Sequence, residues 1–331
     1  MEKLVSVAIA TYNGEKFLKE QLDSIYKQTY KNIEVVVSDD CSIDGTVKIL
    51  DEYKQKFGLK YSVNEQNLGV VKNFERAISR CQGEYIALAD QDDIWLPEKI
   101  QILVDNIRHY SLVCSCAYLI DQNKGIIRTL KWNEYGVPTK KENQFQVLAY
   151  RNFVAGCTSL FKRNLLSLAF PIPKGMSFHD WWFALVASKM NGVKHLNSPL
   201  LYHRQHWSNL TDKIRNPYWK RVISFIIDKQ QCYKRVQFKK AEYNRLKAML
   251  SSSIFNKAEK EYLKEALEYY KNFFESFIPL KAVAIWIKNR HILYPYPNIR
   301  GFIRKWTHIF IPFIDSIFHH FLIKSWFISM D

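Results

Sequence analysis

No Gly-x-Gly-x-x-Gly follows any strand-like segment, and the 331 residues hold only 11 glycines. A dinucleotide cradle of the Rossmann type is therefore disfavoured, because that turn needs glycines where the backbone meets the pyrophosphate. No stretch reaches the roughly 18 uncharged apolar residues that a spanning helix needs. The longest candidate, Trp306–Ile323, contains Pro312, Asp315 and three histidines. The six cysteines (Cys41, Cys81, Cys114, Cys116, Cys157, Cys232) show no paired metal-ligand spacing. Cys114-Ser-Cys116 lies in an apolar run and reads as buried thiol, which fits a reduced, cytoplasmic compartment. Met1-Glu2-Lys3 runs straight into the strand-like Leu4–Ala10 and meets Thr-Tyr-Asn-Gly rather than a cleavage site, so no secretory leader is expected. There is no internal repeat and no low-complexity segment.

Acidic residues are in deficit. Lys and Arg number 48 against 32 Asp and Glu, a net charge of +16. From Pro217 to the end the count is 20 against 9, so +11 of that excess sits in the last third. A basic balance suits anionic partners: nucleic acid, a membrane surface or phosphorylated substrates.

The first hundred residues alternate strand-like and helix-like segments. Strands are expected at Leu4–Ala10, Ile33–Val37, Lys60–Val63 and Tyr85–Ala89, with helices at Glu15–Lys27, Gly45–Phe57 and Val70–Cys81. Alternation with near-continuous apolar strands predicts a parallel sheet covered by helices on both faces. A less regular half follows, with strands at Leu112–Ile120 and Thr158–Phe161 and helices at Gln144–Tyr150 and Trp181–Met190. Beyond Pro217, Trp219–Leu250 and Ala258–Phe277 read as long basic helices, and residues 278–331 are crowded with aromatic and basic side chains. That tail reads as an in-plane amphipathic element at a membrane surface. Internal packing of its aromatics, or a homo-oligomer interface through the C-terminal helices, is the competing expectation.

The richest segment is Asp90-Gln-Asp-Asp-Ile-Trp-Leu-Pro97, directly after the apolar run Tyr85–Ala89. Ligands of open α/β sheets bind beyond the carboxyl ends of strands. Clustered carboxylates there repel one another, and a cation with hard-oxygen preference, Mg²⁺ or Mn²⁺, would hold them ionised and carry a phosphate on its open positions. A solvated acidic turn with Asp93 capping the next helix is the plainer alternative. Asp39 and Asp40 end the second strand, where they can accept hydrogen bonds from a nucleobase and ribose, while Ser42 or Asp44 caps the following helix. Asn67 and Gly69 make a tight turn, and Lys72, one helical turn in, is within reach of a diphosphate. Asp180 stands beside His179, Trp181 and Trp182 at a helix start, where a partly apolar pocket would suit a carboxylate to accept a proton. His203, Arg204 and His206 read as a loop suited to phosphate and metal contact.

The order of these pieces resembles glycosyltransferase family 2: Thr11-Tyr-Asn after strand one, Asp39-Asp-x-Ser-x-Asp-Gly-Thr46 after strand two, Asn67-x-Gly-x-x-x-Asn73 before a helix, and Asp90-x-Asp-Asp-x-Trp-x-Pro97 after strand four. The resemblance covers about residues 4–215 and implies an α/β, GT-A (Rossmann-like) domain over 1–215, followed by a basic helical region over 216–331. It implies that Thr11, Asp39 and Asp40 hold the nucleoside of a UDP- or dTDP-sugar, with Tyr12, Asn13, Asn67, Gly69, Lys72, Asn73, Asp90 and Gln91 completing the donor site. It implies Asp92 and Asp90 as metal ligands, joined by His206, and Asp180 as the base that deprotonates the acceptor hydroxyl. Gly156, His179, Trp181 and Trp182 would lie on the acceptor side.

The Asp-Gln-Asp-Asp-Ile-Trp-Leu-Pro run is most similar to bacterial rhamnosyltransferase-like enzymes of polysaccharide assembly. That similarity implies a saccharide acceptor carried on lipid at the inner face of the cell membrane. His203, an extra residue before Arg204, departs from their pattern. No Gln-x-x-Arg-Trp motif is present, which argues against processive synthesis. A nucleotidyltransferase and a non-catalytic nucleotide-sugar-binding protein are the alternatives. Nucleic acid is not an expected partner, since acidic strand ends would repel a phosphate backbone.

Overall fold

The computed structural model describes residues 2–130, 144–205 and 229–275, together with 280, 281, 284, 285, 287 and 288. It divides the chain into two compact units: residues 1–148, 152–172 and 178–213 in the first, and 149–151, 173–177 and 214–331 in the second.

The first unit is built on one sheet. β1 (Val5–Thr11), β2 (Ile33–Asp39), β3 (Lys60–Val63) and β4 (Tyr85–Ala89) form its parallel half, in the order β3-β2-β1-β4. They alternate with α1 (Leu18–Tyr26), α2 (Thr46–Phe57) and α3 (Val70–Ser79). The apolar runs of β1 and β4 are buried nearly throughout, as expected for parallel strands covered on both faces. α1 buries Leu18, Leu22 and Ile25 at helical spacing against Val5, Val7, Ile9, Val35 and Val37. The register aligns the strand ends: Thr11 faces Asp39, and Ile9 faces Ala89. The three acidic or polar strand ends are therefore neighbours along one edge.

Beyond β4, in the half expected to be less regular, the sheet becomes mixed. β5 (Ile94–Trp95), α4 (Lys99–Ile107), β6 (Leu112–Ile120), β7 (Ile126–Leu130), α5 (Gln144–Tyr150), β8 (Ser159–Lys162), α6 (Leu166–Ala169), α7 (His179–Lys189) and β9 (Val193–Arg204) follow. The order continues β4-β8-β6-β9-β5, with β8 antiparallel to both neighbours, β6 parallel to β9, and β9 antiparallel to β5; β7 pairs with β6. β5, β7 and β9 were not legible in the sequence. β5 has two residues, and β9 runs through Lys194, His195, Asn197, Ser198 and Pro199 with no alternation to reveal it. α7 is buried at His179 and at every position from Trp181 to Ala187, so it is a core helix rather than a surface one.

The second unit contains α8 (Lys229–Ser251) and α9 (Lys257–Glu275), which pack on each other through Leu246, Met249, Leu263, Ala266 and Tyr270. Arg245, fully buried there, bonds Glu242 and the carbonyl of Ala149 at 2.8 Å. Tyr150 meets Tyr262 and Tyr269 edge to face. The expected helices over Trp219–Leu250 and Ala258–Phe277 correspond to α8 and α9, while residues 219–228 and nearly all of the aromatic, basic tail lie outside the described residues. Among the described residues no helix is long and apolar enough to cross a membrane.

Candidate active site

The site starts at the adjoining ends of β1 and β2. Thr11 Oγ1 donates to Asp39 at 2.7 Å, and Ser42 donates to the same carboxylate through its N–H at 2.9 Å and its hydroxyl at 2.6 Å. Asp40 accepts from Asn64 Nδ2 and the N–H of Leu68, both at 2.8 Å, and from the N–H of Gly69 at 2.9 Å. Asn73 joins through Asn64 at 3.0 Å and through the Thr11 carbonyl at 3.2 Å. Both carboxylates are buried and held as internal acceptors, so the turn through Asn67 and Gly69 is positioned by Asp40. Gly69 has φ +79°, a conformation that costs glycine nothing and other residues strain. Asp44 takes the helix-start role, accepting from the N–H of Thr46 at 3.0 Å, one position ahead of the capping residue Gly45.

Gln91 joins this rim to the end of β4. Its amide accepts from the N–H of Tyr12 at 2.9 Å and donates to the Tyr12 carbonyl at 3.1 Å. Asn13, at φ +46°, accepts from the N–H of Ile43 and donates its own N–H to Ser42, leaving the Tyr12 ring about half exposed. Lys72 is turned onto Glu75, its neighbour on α3, and makes no contact with the rim in this state.

The Asp90–Asp93 turn differs from expectation. Asp93 caps no helix. α4 begins six residues later, with Glu98 at the capping position, because β5 intervenes and swings the chain into the sheet. Asp93 is fully buried, its Oδ1 lies 2.8 Å from His203 Nδ1, and it accepts the N–H of Arg204 at 3.2 Å. Burial opposes its charge, but His203 and that N–H hold the carboxyl below its ordinary range. Burial likewise pushes the His203 imidazole down, and the Asp93 carboxylate, backed by Asp90 and Asp92, carries it up instead to about 9. Asp90 is pushed up to about 7, first by burial and then by the charges of Asp93 and Asp92.

His203 and Arg204 are residues of β9 rather than of a loop, and Arg204 is buried against protein groups instead of being presented to phosphate. His206 lies outside the described residues.

Ligand atoms of Asp90, Asp93, Cys157 and His203 all fall within 4.8 Å of one another. Burial and the adjacent carboxylates push the Cys157 thiol well above its ordinary value, so it stays protonated, and His203 is taken by Asp93. The same turn carries Asp92, whose charge bears on Asp90, and the carboxylates of Asp90 and Asp92 are the kind of oxygen donors a hard cation takes. One oxygen of Asp93 is buried without a hydrogen bond, which adds to the negative potential beneath them. The donor set therefore fits a divalent cation. Lys99 completes the underside, fully buried, with Nζ 3.3 Å from the Trp95 ring centroid and bonded to the Cys157 carbonyl at 2.5 Å. Burial brings its amine down to about 7.

Asp180, in the first turn of α7, accepts from Asn152 Nδ2 at 3.1 Å, from the N–H of Gly156 at 2.9 Å and from the N–H of Trp181 at 2.6 Å. It lies near enough to Asp90 to raise that group's pKa. The side chains flanking Asp180 are not an acceptor surface. His179 is buried with its ring stacked on Phe74 at 3.8 Å, and burial lowers it to about 3. Trp181 and Trp182 are core residues whose indoles donate, each at 2.7 Å, to the carbonyls of Leu148 and Ala169. Asp180 itself is half-buried, whereas these rings are buried.

A side chain at Gly156 would place its Cβ 3.1 Å from His179 Nε2 and 3.4 Å from the Asp180 Cβ. Gly156→Ala should therefore overpack this point and cost about 1–3 kcal/mol of stability, read by urea denaturation. A variant as stable as the parent would show that the neighbours yield freely.

Residues 6–168 match the profile described as Glycosyl transferase family 2. The match spans 163 of the 331 residues, just under half of the chain. The chain's architecture is the GT-A fold, as in the mannosyltransferase PcManGT of Pyrobaculum calidifontis in complex with GDP-Man and Mn²⁺, with TM-score 0.59 at 17% identity, over 96% of this chain and 86% of that one. Residues 1–349 of TarS from S. aureus, in complex with UDP-GlcNAc, give TM-score 0.58 at 16% identity, over 98% and 92%.

Among curated relatives, an uncharacterized glycosyltransferase of Methanocaldococcus jannaschii is 38% identical over 138 residues, 40% of this chain and 48% of that protein. The dTDP-rhamnosyl transferase RfbG of Shigella flexneri is 29% identical over 218 residues, 61% of this chain and 72% of that protein. The chain spans about half the length of the first of these relatives.

Proposed function

We propose that this protein transfers a single sugar from a nucleoside diphosphate sugar, a UDP- or dTDP-sugar, to a saccharide hydroxyl, with inversion at the anomeric carbon. The observation that carries the reading is the continuous hydrogen-bonded rim from Asp40 through Thr11, Asp39, Tyr12 and Gln91 to the Asp90 turn, with Asp180 close enough to sense Asp90's charge. The rim offers a nucleoside pocket at one end and an acceptor base at the other.

Asp39 and Asp40, with Thr11, line the nucleoside end. Asp180 is fixed by three hydrogen bonds and takes the proton of the acceptor hydroxyl as that oxygen attacks the sugar. Asp90 and Asp92 would hold the cation, Mn²⁺ or Mg²⁺. Bound there, it supplies Lewis acidity that offsets charge on the leaving diphosphate. The similarity to a dTDP-rhamnosyl transferase supports rhamnose as the sugar, and in this proposal the product is a cell-surface polysaccharide. A panel of nucleotide sugars with Mn²⁺ tests this by thermal shift and by release of nucleoside diphosphate. The true donor at a hundred times its Kd should stabilise the fold by about 2.7 kcal/mol. If no nucleotide sugar raises the melting temperature and none is turned over, the reading fails.

The acceptor in this proposal is lipid-linked, and the protein works at the cytoplasmic face of the membrane. The support is the charge excess of the last third and its interleaved Trp and Phe residues, which suit anionic headgroups. Flotation with anionic liposomes should carry the full chain upward and leave a chain lacking residues 278–331 behind. Equal behaviour of the two would remove the membrane role.

A further inference from the structure

Arg204 is the last residue of β9 and is 1% exposed. Its guanidinium spans three separate pieces of chain. Nε donates to the carbonyl of Asp92 at 2.9 Å, Nη1 to the carbonyl of Gln122 at 3.1 Å, and Nη2 to the carboxylate of Glu20 on α1 at 2.5 Å. The Phe17 ring closes over it, with centroid 4.6 Å from Cζ. The backbone N–H of the same residue reaches the Asp93 side chain, and the pairing of Ile94 with Tyr202 locks the two segments in register. Residues 203 and 204 therefore grip residues 93 and 92 in turn.

We propose that Arg204 is a positioning residue for the cation-holding turn, pinning the Asp92 carbonyl so that the Asp90 and Asp92 carboxylates stay presented together. The proposal rests on the cation reading above. Its physical basis is the rigidity of the guanidinium fork. A planar group whose donors are fixed relative to one another can tie a main-chain carbonyl on one side to a carboxylate on the other, and a lysine ammonium of equal charge cannot span both. Fixing the Asp92 carbonyl fixes its peptide plane, and with it the direction of the Asp92 side chain relative to Asp90. Groups that orient metal ligands without touching the ion commonly govern affinity as strongly as this.

The test measures uptake of Mn²⁺ alone, from the electron paramagnetic resonance of the free ion, on wild type, Asp92→Asn and Arg204→Lys, with the melting temperature of each recorded in EDTA. Arg204→Lys should weaken Mn²⁺ binding by about 10–100-fold. Added Mn²⁺ should restore much of its turnover, while nucleoside diphosphate binding in EDTA stays unchanged. A purely structural role would lower the EDTA melting temperature without moving the Mn²⁺ midpoint. If folded Arg204→Lys binds Mn²⁺ like wild type while Asp92→Asn does not, the positioning role is overturned and the cation site stands. If wild type takes up no Mn²⁺, the cation reading itself falls, and this role with it. Should Arg204→Lys fail to fold, the same readings on Glu20→Gln, which loosens the outer end of the guanidinium, decide the matter. A weakened Mn²⁺ midpoint supports the role, and an unchanged one overturns it.

Discussion

Replacing Asp180 by Asn should cut sugar transfer by about 10²–10⁴-fold, the usual share of a general base, while nucleotide sugar binding stays within a few fold. The structure adds a complication that the substitution itself creates. Asp180 receives hydrogen only: Asn152 and Trp181 donate to one oxygen and Gly156 to the other. An amide has one acceptor atom, so its NH₂ must face a donor, the Gly156 N–H or the pair opposite. That mismatch should cost about 1–3 kcal/mol locally. The melting temperature of Asp180→Asn will therefore fall even if the base role is wrong, and stability alone cannot speak for it. The decisive pair of measurements is single-turnover transfer against donor affinity. Transfer surviving within tenfold of wild type, with the donor bound normally, would point to another base.

The second large effect concerns stability. Asp93→Ala should lower the free energy of unfolding by about 2–4 kcal/mol, because the buried His203 imidazole, which then gives up its proton, and the Arg204 N–H both lose their acceptor. Denaturation in urea at neutral pH measures it. Replacing both members with apolar residues, Asp93→Leu together with His203→Phe, should recover part of the loss, since no unpaired imidazole is then left in the interior. A double variant as unstable as Asp93→Ala would show that the site needs the pair for its shape. The pH dependence follows from the direction of each shift. His203 is raised from 6.5 to about 9, so its stabilisation is whole below pH 6.5 and is lost as pH rises through about 9. Asp93 is lowered, so its share is present above its ordinary value and disappears as pH falls towards the lowered one. Lys99 works against His203. Its folded pKa of about 7 lies under the ordinary 10.5, so its burial penalty eases as pH rises between those values. Between about pH 7 and 9 the two contributions offset.

Much of the first ninety residues could be read in advance, because parallel strands covered on both faces announce themselves as apolar runs and their helices by period. Thr11, Asp39, Asp40, Gln91 and Asp180 were all singled out, and hydrogen bonds link the strand-end members in a rim. The underside of the site could not be read. Asp93 looked like a helix cap because nothing local foretells a two-residue strand after it, and His203 and Arg204 looked like loop residues because β9 carries no alternation. Trp181 and Trp182 looked like a binding surface because a helix buried on every side has no polar face to mark its direction. The deciding contacts are distant in the chain: 110 residues separate Asp93 from His203 and 33 separate Trp181 from Leu148.

That separation has a consequence for how the protein is made. β1 to β4 and their helices are contiguous in the chain, and the hydrogen-bonded rim of their strand ends is complete once Gln91 has emerged. The Asp90–Asp93 turn is a different matter, since the β9 residues that hold it arrive more than a hundred residues later. A growing chain therefore carries its acidic turn without the β9 clamp while 110 further residues are added. Closing that long loop is the late, slow event expected of distant strand pairings. The ribosome finishes the strand-end rim before it finishes the acidic turn.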